Sequence, residues 1–163
     1  MSKKIVILGA GESGVGSAIL AKKQGCNVFV SDAGNITEKY LNILKTNSIH
    51  YEQGKHSEDK ILRADEVIIS PGIPLNVPIV QQLKKKNIPI ISELDFAQRF
   101  TNAKIIAITG TNGKSTTTSW IYYTFRLAKY NACMAGNIGN SFAAEVAPTI
   151  ITSGLFWKSV LFN

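Results

Sequence analysis

Short apolar runs alternate with helix-period segments along the first hundred residues. Ile5, Val6, Ile7 and Leu8 form a continuous run that stops at Gly9, which predicts a buried strand over 5–8. A helix follows over 15–24, then a strand over 27–31 and a helix over 37–46 capped by Thr37 or Asn35. The same reading places a strand over 66–70, a helix over 77–86 and a strand over 89–92. Alternation of this kind means βαβ units and a parallel sheet covered on both faces. A short helix over 93–100 leads to a strand over 104–109, a helix over 115–129 and a short strand over 132–135. The glycine turn Gly136-Asn137-Ile138-Gly139 comes next, and a domain boundary is placed near Thr101.

Bulk properties narrow the class. The chain has 163 residues, 45% of them hydrophobic, enough for one domain or two small ones with a sizeable core. Its formal charge of +7 suits anionic small ligands. No arginine cluster or basic-aromatic stripe accompanies that charge, so nucleic acid is not the expected partner. The triplet Lys84-Lys85-Lys86 ends a predicted helix, where cations suit the dipole, and reads as a solvated surface. Cys26 and Cys133 are far apart without metal-type spacing, and reduced thiols in a cytoplasmic protein are expected. His50 and His56 read as surface histidines. No apolar run is long enough to span a membrane, and no membrane insertion is expected.

Two glycine loops carry the chemistry. The second is Gly110-Thr111-Asn112-Gly113-Lys114-Ser115-Thr116, between an apolar strand and a helix start. Glycines let backbone N–H groups converge on phosphate oxygens, and the helix N-terminus adds its dipole. Lys114 is expected to reach the β/γ-phosphates of ATP and Ser115 to ligate Mg²⁺. The generic phosphate loop has a glycine where Ile108 stands, so the motif is a partial match. The first loop is Gly9-Ala10-Gly11-Glu12-Ser13-Gly14, with Asp32 closing the next strand 18 residues after Gly14. This is the dinucleotide-binding fingerprint in type, spacing and context, and alone it predicts an NAD-binding oxidoreductase or sensor. With one glycine loop in each half, an enzyme holding one nucleotide-bearing ligand per domain is the better account. The fold class is therefore α/β: a Rossmann-like parallel-sheet domain over 1–100, then the start of a P-loop ATPase-type α/β domain over 101–163.

The order Gly9-x-Gly11-x-x-Gly14, Ser70-Pro71-Gly72-Ile73, Gly110 to Thr116 and Gly136-Asn137-Ile138-Gly139 resembles the Mur ligase family of peptidoglycan synthesis. The resemblance runs from Lys4 to about Val146, and the phosphate loop lacking its first glycine is that family's own variant. It implies a cytoplasmic, ATP- and Mg²⁺-dependent amide ligase, expected to be monomeric. Its substrates would be UDP-N-acetylmuramoyl-L-alanine and D-glutamate, joined through an acyl phosphate. It further implies Lys114 and Asn137 as catalytic residues, with Asn112, Gly113 and Thr116 beside the phosphates. Glu12, Ser13, Asp32, Ala33 and Gly34 match positions that hold the uridine diphosphate, Ser70, Pro71, Gly72 and Ile73 those that approach the sugar, and Asn137 one near the substrate and metal. Relatives often carry hydroxyl or basic side chains after the Asp, where Ala33 and Gly34 offer only backbone.

The tail departs from that family, whose next strand carries a pattern like Val-Leu-Glu-Ile-Ser-Ser-Phe-Gln. Reading the third base of each codon with the first two of the next turns Phe156-Trp157 into Leu and Trp157-Lys158 into Glu. The codons from Lys158 to Asn163 then allow Ile-Ser-Ser-Phe-Gln. A frameshift, with residues 147–163 out of frame, is the expectation. It would leave the second domain with two sheet strands, no acceptor domain for D-glutamate, and no turnover.

Overall fold

The computed structural model describes residues 2–136, 140–147 and 156–161. The first unit runs β1 (Lys4–Leu8), α1 (Glu12–Lys23), β2 (Asn27–Ser31), α2 (Glu38–Thr46), β3 (His50–Glu52), α3 (Glu58–Ile61), β4 (Glu66–Ile69), α4 (Pro78–Lys85), β5 (Ile90–Ser92) and α5 (Glu93–Ala97). A 3-10 turn over Gln98–Phe100 closes it. The strands form one parallel sheet in the order β3-β2-β1-β4-β5. Connections from β1 run one way to β2 and β3, whereas β4 and β5 lie on its other side. A crevice therefore opens above the carboxyl ends of β1 and β4, where ligands of such sheets bind.

The apolar run of β1 is explained by coverage of both faces. Ile5 and Ile7 join a core with Val28, Val30, Leu20, Leu44 and Phe96. Val6 and Leu8 point the other way, onto Ile61, Ile79, Val80 and Leu83. All four side chains of the run are at most 3% exposed, the burial expected of a central parallel strand. β3 and α3 had no counterpart in the sequence reading. His50-Tyr51-Glu52 has no apolar run, and pairs as an edge strand only because β2 offers Phe29, Val30 and Ser31 in register.

The second unit holds β6 (Lys104–Ile108), α6 (Lys114–Leu127), β7 (Asn131–Ala135), α7 (Phe142–Val146) and β8 (Phe156–Leu161). Its sheet is parallel in the order β6-β8-β7. The expectation of a two-strand sheet is thus corrected. Residues 156–161, rich in aromatic and β-branched types, supply the central strand that pairs with both others. The remainder of the tail, 148–155 and 162–163, lies outside the described residues. On α6, Trp120, Tyr123 and Leu127 form an exposed apolar row, and among the described residues nothing covers it.

α7 is not confined to its own unit. Phe142, Ala143, Val146 and Ala147 are buried in the first unit's core, against α1 and α5. Gly16 makes room for this seat, since a Cβ there would lie 2.0 Å from Ser141 Oγ and 3.1 Å from the Ala144 nitrogen. Ser141 Oγ accepts from the Ala144 N–H at 3.2 Å, and the buried Glu93 carboxylate accepts from the Ala143 N–H at 2.8 Å. These contacts satisfy donors that a helix start otherwise leaves unpaired.

A second carboxylate pins the amino edge. Glu66 opens β4 with its side chain 6% exposed, 3.0 Å from Lys3 Nζ and 2.9 Å from Arg99. Burial pushes its carboxyl up, and the hydrogen bonds and charges of Arg99 and Lys3 outweigh that, leaving it below its ordinary value. The native value lies below the unfolded one, so the stabilisation is full above about pH 4.3 and is lost as pH falls through the native value. Glu66→Gln is expected to cost about 1–3 kcal/mol near neutral pH, with the difference from wild type shrinking below about pH 4; denaturant titrations at pH 7 and pH 3 read this directly. Gly16→Val is expected to cost a further about 1–3 kcal/mol and to expose 140–147 to protease, because α7 must lift off α1.

Candidate functional site

The first glycine loop sits over the switch point. Gly9 follows β1 with φ of +90°, and a Cβ there would lie 2.7 Å from Ser70 Oγ. A Cβ on Gly14 would stand 1.9 Å from the Gly9 carbonyl oxygen, so only glycine lets α1 start this close to the end of β1. Gly11 occupies the cap position of α1 without a side-chain cap, leaving first-turn N–H groups free of side-chain competition. They open on a cleft of about 540 Å³. Glu12, Ser13, Asp32, Ser70, Pro71 and Gly72 line it, so six of the expected substrate-binding residues converge. Gly136, from the second unit, lines it too.

Asp32 does structural work in this loop. Its Oδ2 accepts from the Ala10 N–H at 2.6 Å and its Oδ1 from the Gly34 N–H at 2.8 Å. One carboxylate thus ties the β1–α1 loop to the β2–α2 loop. Ala33 and Ile73 turn to an adjoining cleft of about 470 Å³, which shares Gly9, Asp32 and Gly72 with the first and is walled by Pro74, Val77 and Ile79. His56 lines this second cleft. It is half-buried, and its Nδ1 lies 2.7 Å from the Oγ of Ser31, a fully buried residue. The ring is brought there by the short α3 connection, which no periodicity announces. His50 is exposed, as expected.

Ser31 links His56 to Glu52, donating from Oγ to Glu52 Oε1 at 2.7 Å. Glu52 also accepts from the Ser57 N–H at 2.7 Å and from Ser57 Oγ at 2.5 Å. Burial pushes the Glu52 carboxyl up, but these bonds and the nearby Lys60 charge hold it below its ordinary value.

The second glycine loop is open to solvent. Gly110 has φ of +141° and Gly113, capping α6, has φ of +75°, both left-handed values that favour glycine. Thr111, Asn112, Ser115 and Thr116 are exposed around them. Lys114 begins α6 and its ammonium donates to the Gly110 carbonyl, folding back over the loop. Thr118 Oγ1 anchors the first turn by donating to the Lys114 carbonyl at 2.8 Å. Asn137 lies outside the described residues. Among the described residues no three His, Cys, Asp or Glu side chains cluster as a metal site, and no helix is long and apolar enough to cross a membrane.

Comparison with known proteins gives a consistent result. The family profile described as Mur ligase MurD-like, N-terminal domain, matches residues 3–92. A UDP-N-acetylmuramoylalanine--D-glutamate ligase of Bacteroides fragilis is 54% identical over 145 residues, covering 89% of this chain and 33% of the relative. The Bacteroides thetaiotaomicron protein of the same name is 55% identical over the same span. The chain thus spans about a third of the length of these curated relatives. Among solved structures, a murein peptide ligase from Psychrobacter arcticus superposes with TM-score 0.65 at 18% identity, over 99% of this chain and 38% of that one. The UDP-N-acetylmuramate-alanine ligase of Thermotoga maritima does so with TM-score 0.59 at 22% identity, over 96% of this chain and 37% of that one. These structural likenesses support the Rossmann-like fold. On the profile match, which covers more than half of its residues, the chain belongs to the Mur ligase family, with a MurD-like N-terminal domain.

Proposed function

We propose that this chain is the substrate- and ATP-docking part of a cytoplasmic ligase that joins D-glutamate to UDP-N-acetylmuramoyl-L-alanine. The observation that carries the reading is one chain holding a switch-point glycine cleft and a Gly-Thr-Asn-Gly-Lys-Ser-Thr loop within a span 54% identical to ligases of that name. The domains are read as 1–100 for the UDP substrate and 101–163 for the beginning of the ATP domain.

The chemistry follows from the residues. First-turn N–H groups at Glu12 and Ser13 suit a diphosphate, with the α1 dipole behind them. Ser70 to Ile73 line the crevice across which the sugar would lie. At the second loop, Gly110 to Thr116 would cradle ATP, with Lys114 on the β/γ-phosphates and the Ser115 hydroxyl beside Mg²⁺, which neutralises phosphate charge when bound. The substrate carboxylate would take the γ-phosphoryl group, giving an acyl phosphate that the D-glutamate amine attacks with release of phosphate. Lys114 and Asn137 would stabilise the charge that develops. We assign these residues the docking of the two nucleotides, in a monomeric protein.

The competing reading, NAD binding at Gly9–Gly14, relies on Asp32 for a ribose hydroxyl. Its two oxygens accept the Ala10 and Gly34 N–H groups, a loop-fastening role that accounts for an Asp here without a ribose. Titration with UDP-N-acetylmuramoyl-L-alanine, ATP and NADH separates the two. The UDP substrate is expected to bind wild type and Lys114→Ala alike and to be lost in Gly14→Ala. ATP binding is expected to fall about 10- to 100-fold in Lys114→Ala, the loss of a charge-assisted contact. NADH binding that Gly14→Ala abolishes would replace this reading with the oxidoreductase one.

A further inference from the structure

The amino ends of the first unit's strands carry a cleft that neither glycine loop touches. It holds about 370 Å³ and is bordered by Lys4, Asn27 and His50, the first residues of β1, β2 and β3. The two clefts around Gly9 lie at the carboxyl ends of these strands and share no lining residue with it. The opening follows from the length of α3. A parallel sheet is covered on both faces, and a crossover helix of four residues covers only part of one. Ile61 of α3 is buried beside Val6 and Val67, whereas Phe29 of β2, packed against the same cluster, stays half-buried.

Charge decides what such a cleft can hold. Lys4, Lys60 and Arg63 line it, and no carboxylate does. Among the described residues none of the three is in a salt bridge. The carboxylates nearby in the chain are engaged elsewhere. Asp65 accepts from the Lys4 N–H at 2.7 Å, Glu58 from Gln82 Nε2 at 2.7 Å, and Glu52 from Ser31 and Ser57. Asp59 is exposed and does not line the cleft. The Lys60 ammonium lies 5.0 Å from the centre of the Phe29 ring, a weaker partner for a cation than an anionic oxygen. Arg63 follows in the turn after α3, its N–H 3.4 Å from the Lys60 carbonyl, so both cations stand beside one aromatic wall.

We infer that this amino-end cleft is a binding site for a small aromatic carboxylate, its ring against Phe29 and Val6 and its charge between Lys60 and Arg63. The volume is that of a small-molecule site. The guanidinium fork matches a planar carboxylate, and the ammonium adds a point charge beside it. The ring supplies apolar contact, and the carboxylate supplies the counter-charge that the lining lacks.

The test is titration of the full chain with naphthoate and with its neutral analogue naphthylmethanol, read by calorimetry and by backbone-amide NMR. Naphthoate is expected to bind at least about 10-fold more tightly than the alcohol, the margin of one charge-assisted contact. It is expected to shift the amides of Val6, Phe29 and Ala64, which line the cleft. The double variant Lys60→Gln, Arg63→Gln is expected to bring the margin close to one, and each single variant to remove part of it. Both side chains are exposed, and thermal melts check that the variants keep the fold. Phe29→Leu is expected to weaken acid and alcohol alike. Equal binding of the two probes, or a margin kept in the folded double variant, overturns the inference. So do amide shifts confined to Gly9–Gly14 or to the apolar row of α6, and so does the absence of naphthoate binding.

Discussion

The Gly9 carbonyl stands where a side chain on residue 14 would have to be, and much of the first unit follows from that contact. With the gap between β1 and α1 reduced to backbone thickness, the helix start points its N–H groups at the mouth of the sheet. The sheet's change of direction between β1 and β4 then puts Ser70, Pro71 and Gly72 across the same mouth. Neither feature alone makes a binding cleft. Together they give a polar floor, a helix dipole and an opposing loop within one space.

Polar residues near the carboxyl ends of β2 and β3 hold that mouth in shape. Asp32 uses both oxygens to fasten two loops, and Ser31 and Glu52 form a hydrogen-bonded network reaching His56. Buried polar networks destabilise unless every member is matched, so such a cluster also restricts geometry. Here it fixes His56 at the wall of the adjoining cleft. The Glu66–Arg99–Lys3 group does comparable work at the opposite end of the strands, joining the start of β4 to the turn after α5.

The second unit reaches the first through α7 rather than through its sheet. Gly16 on α1 and the Glu93 carboxylate receive that helix, and Gly136, which follows β7, lines the first unit's cleft. The sequence reading places a domain boundary near Thr101. A helix that follows the boundary in sequence is buried in the core that precedes it.

By itself the sequence determined the α/β class, most strand positions and both glycine loops, because these depend on local spacing: β-branched runs for buried strands and glycine where backbone must curl. Strand 27–31 and helix 37–46 differ from the structure by a residue at most. Helix 15–24 in fact begins at Glu12, since glycines and polar residues at the first glycine loop hide the first turn from any apolar period. β3, α3, α7 and β8 were decided only by tertiary structure. β3 and β8 pair because neighbouring strands present a register, α3 packs Ile61 under β1 and β4, and α7 is held by a carboxylate fifty residues earlier in the chain. The placement of His56 belongs to the same group. His56 lies in the loop before α3 and its neighbour Ser31 ends β2, and a hydrogen bond across 25 residues leaves no trace in local pattern.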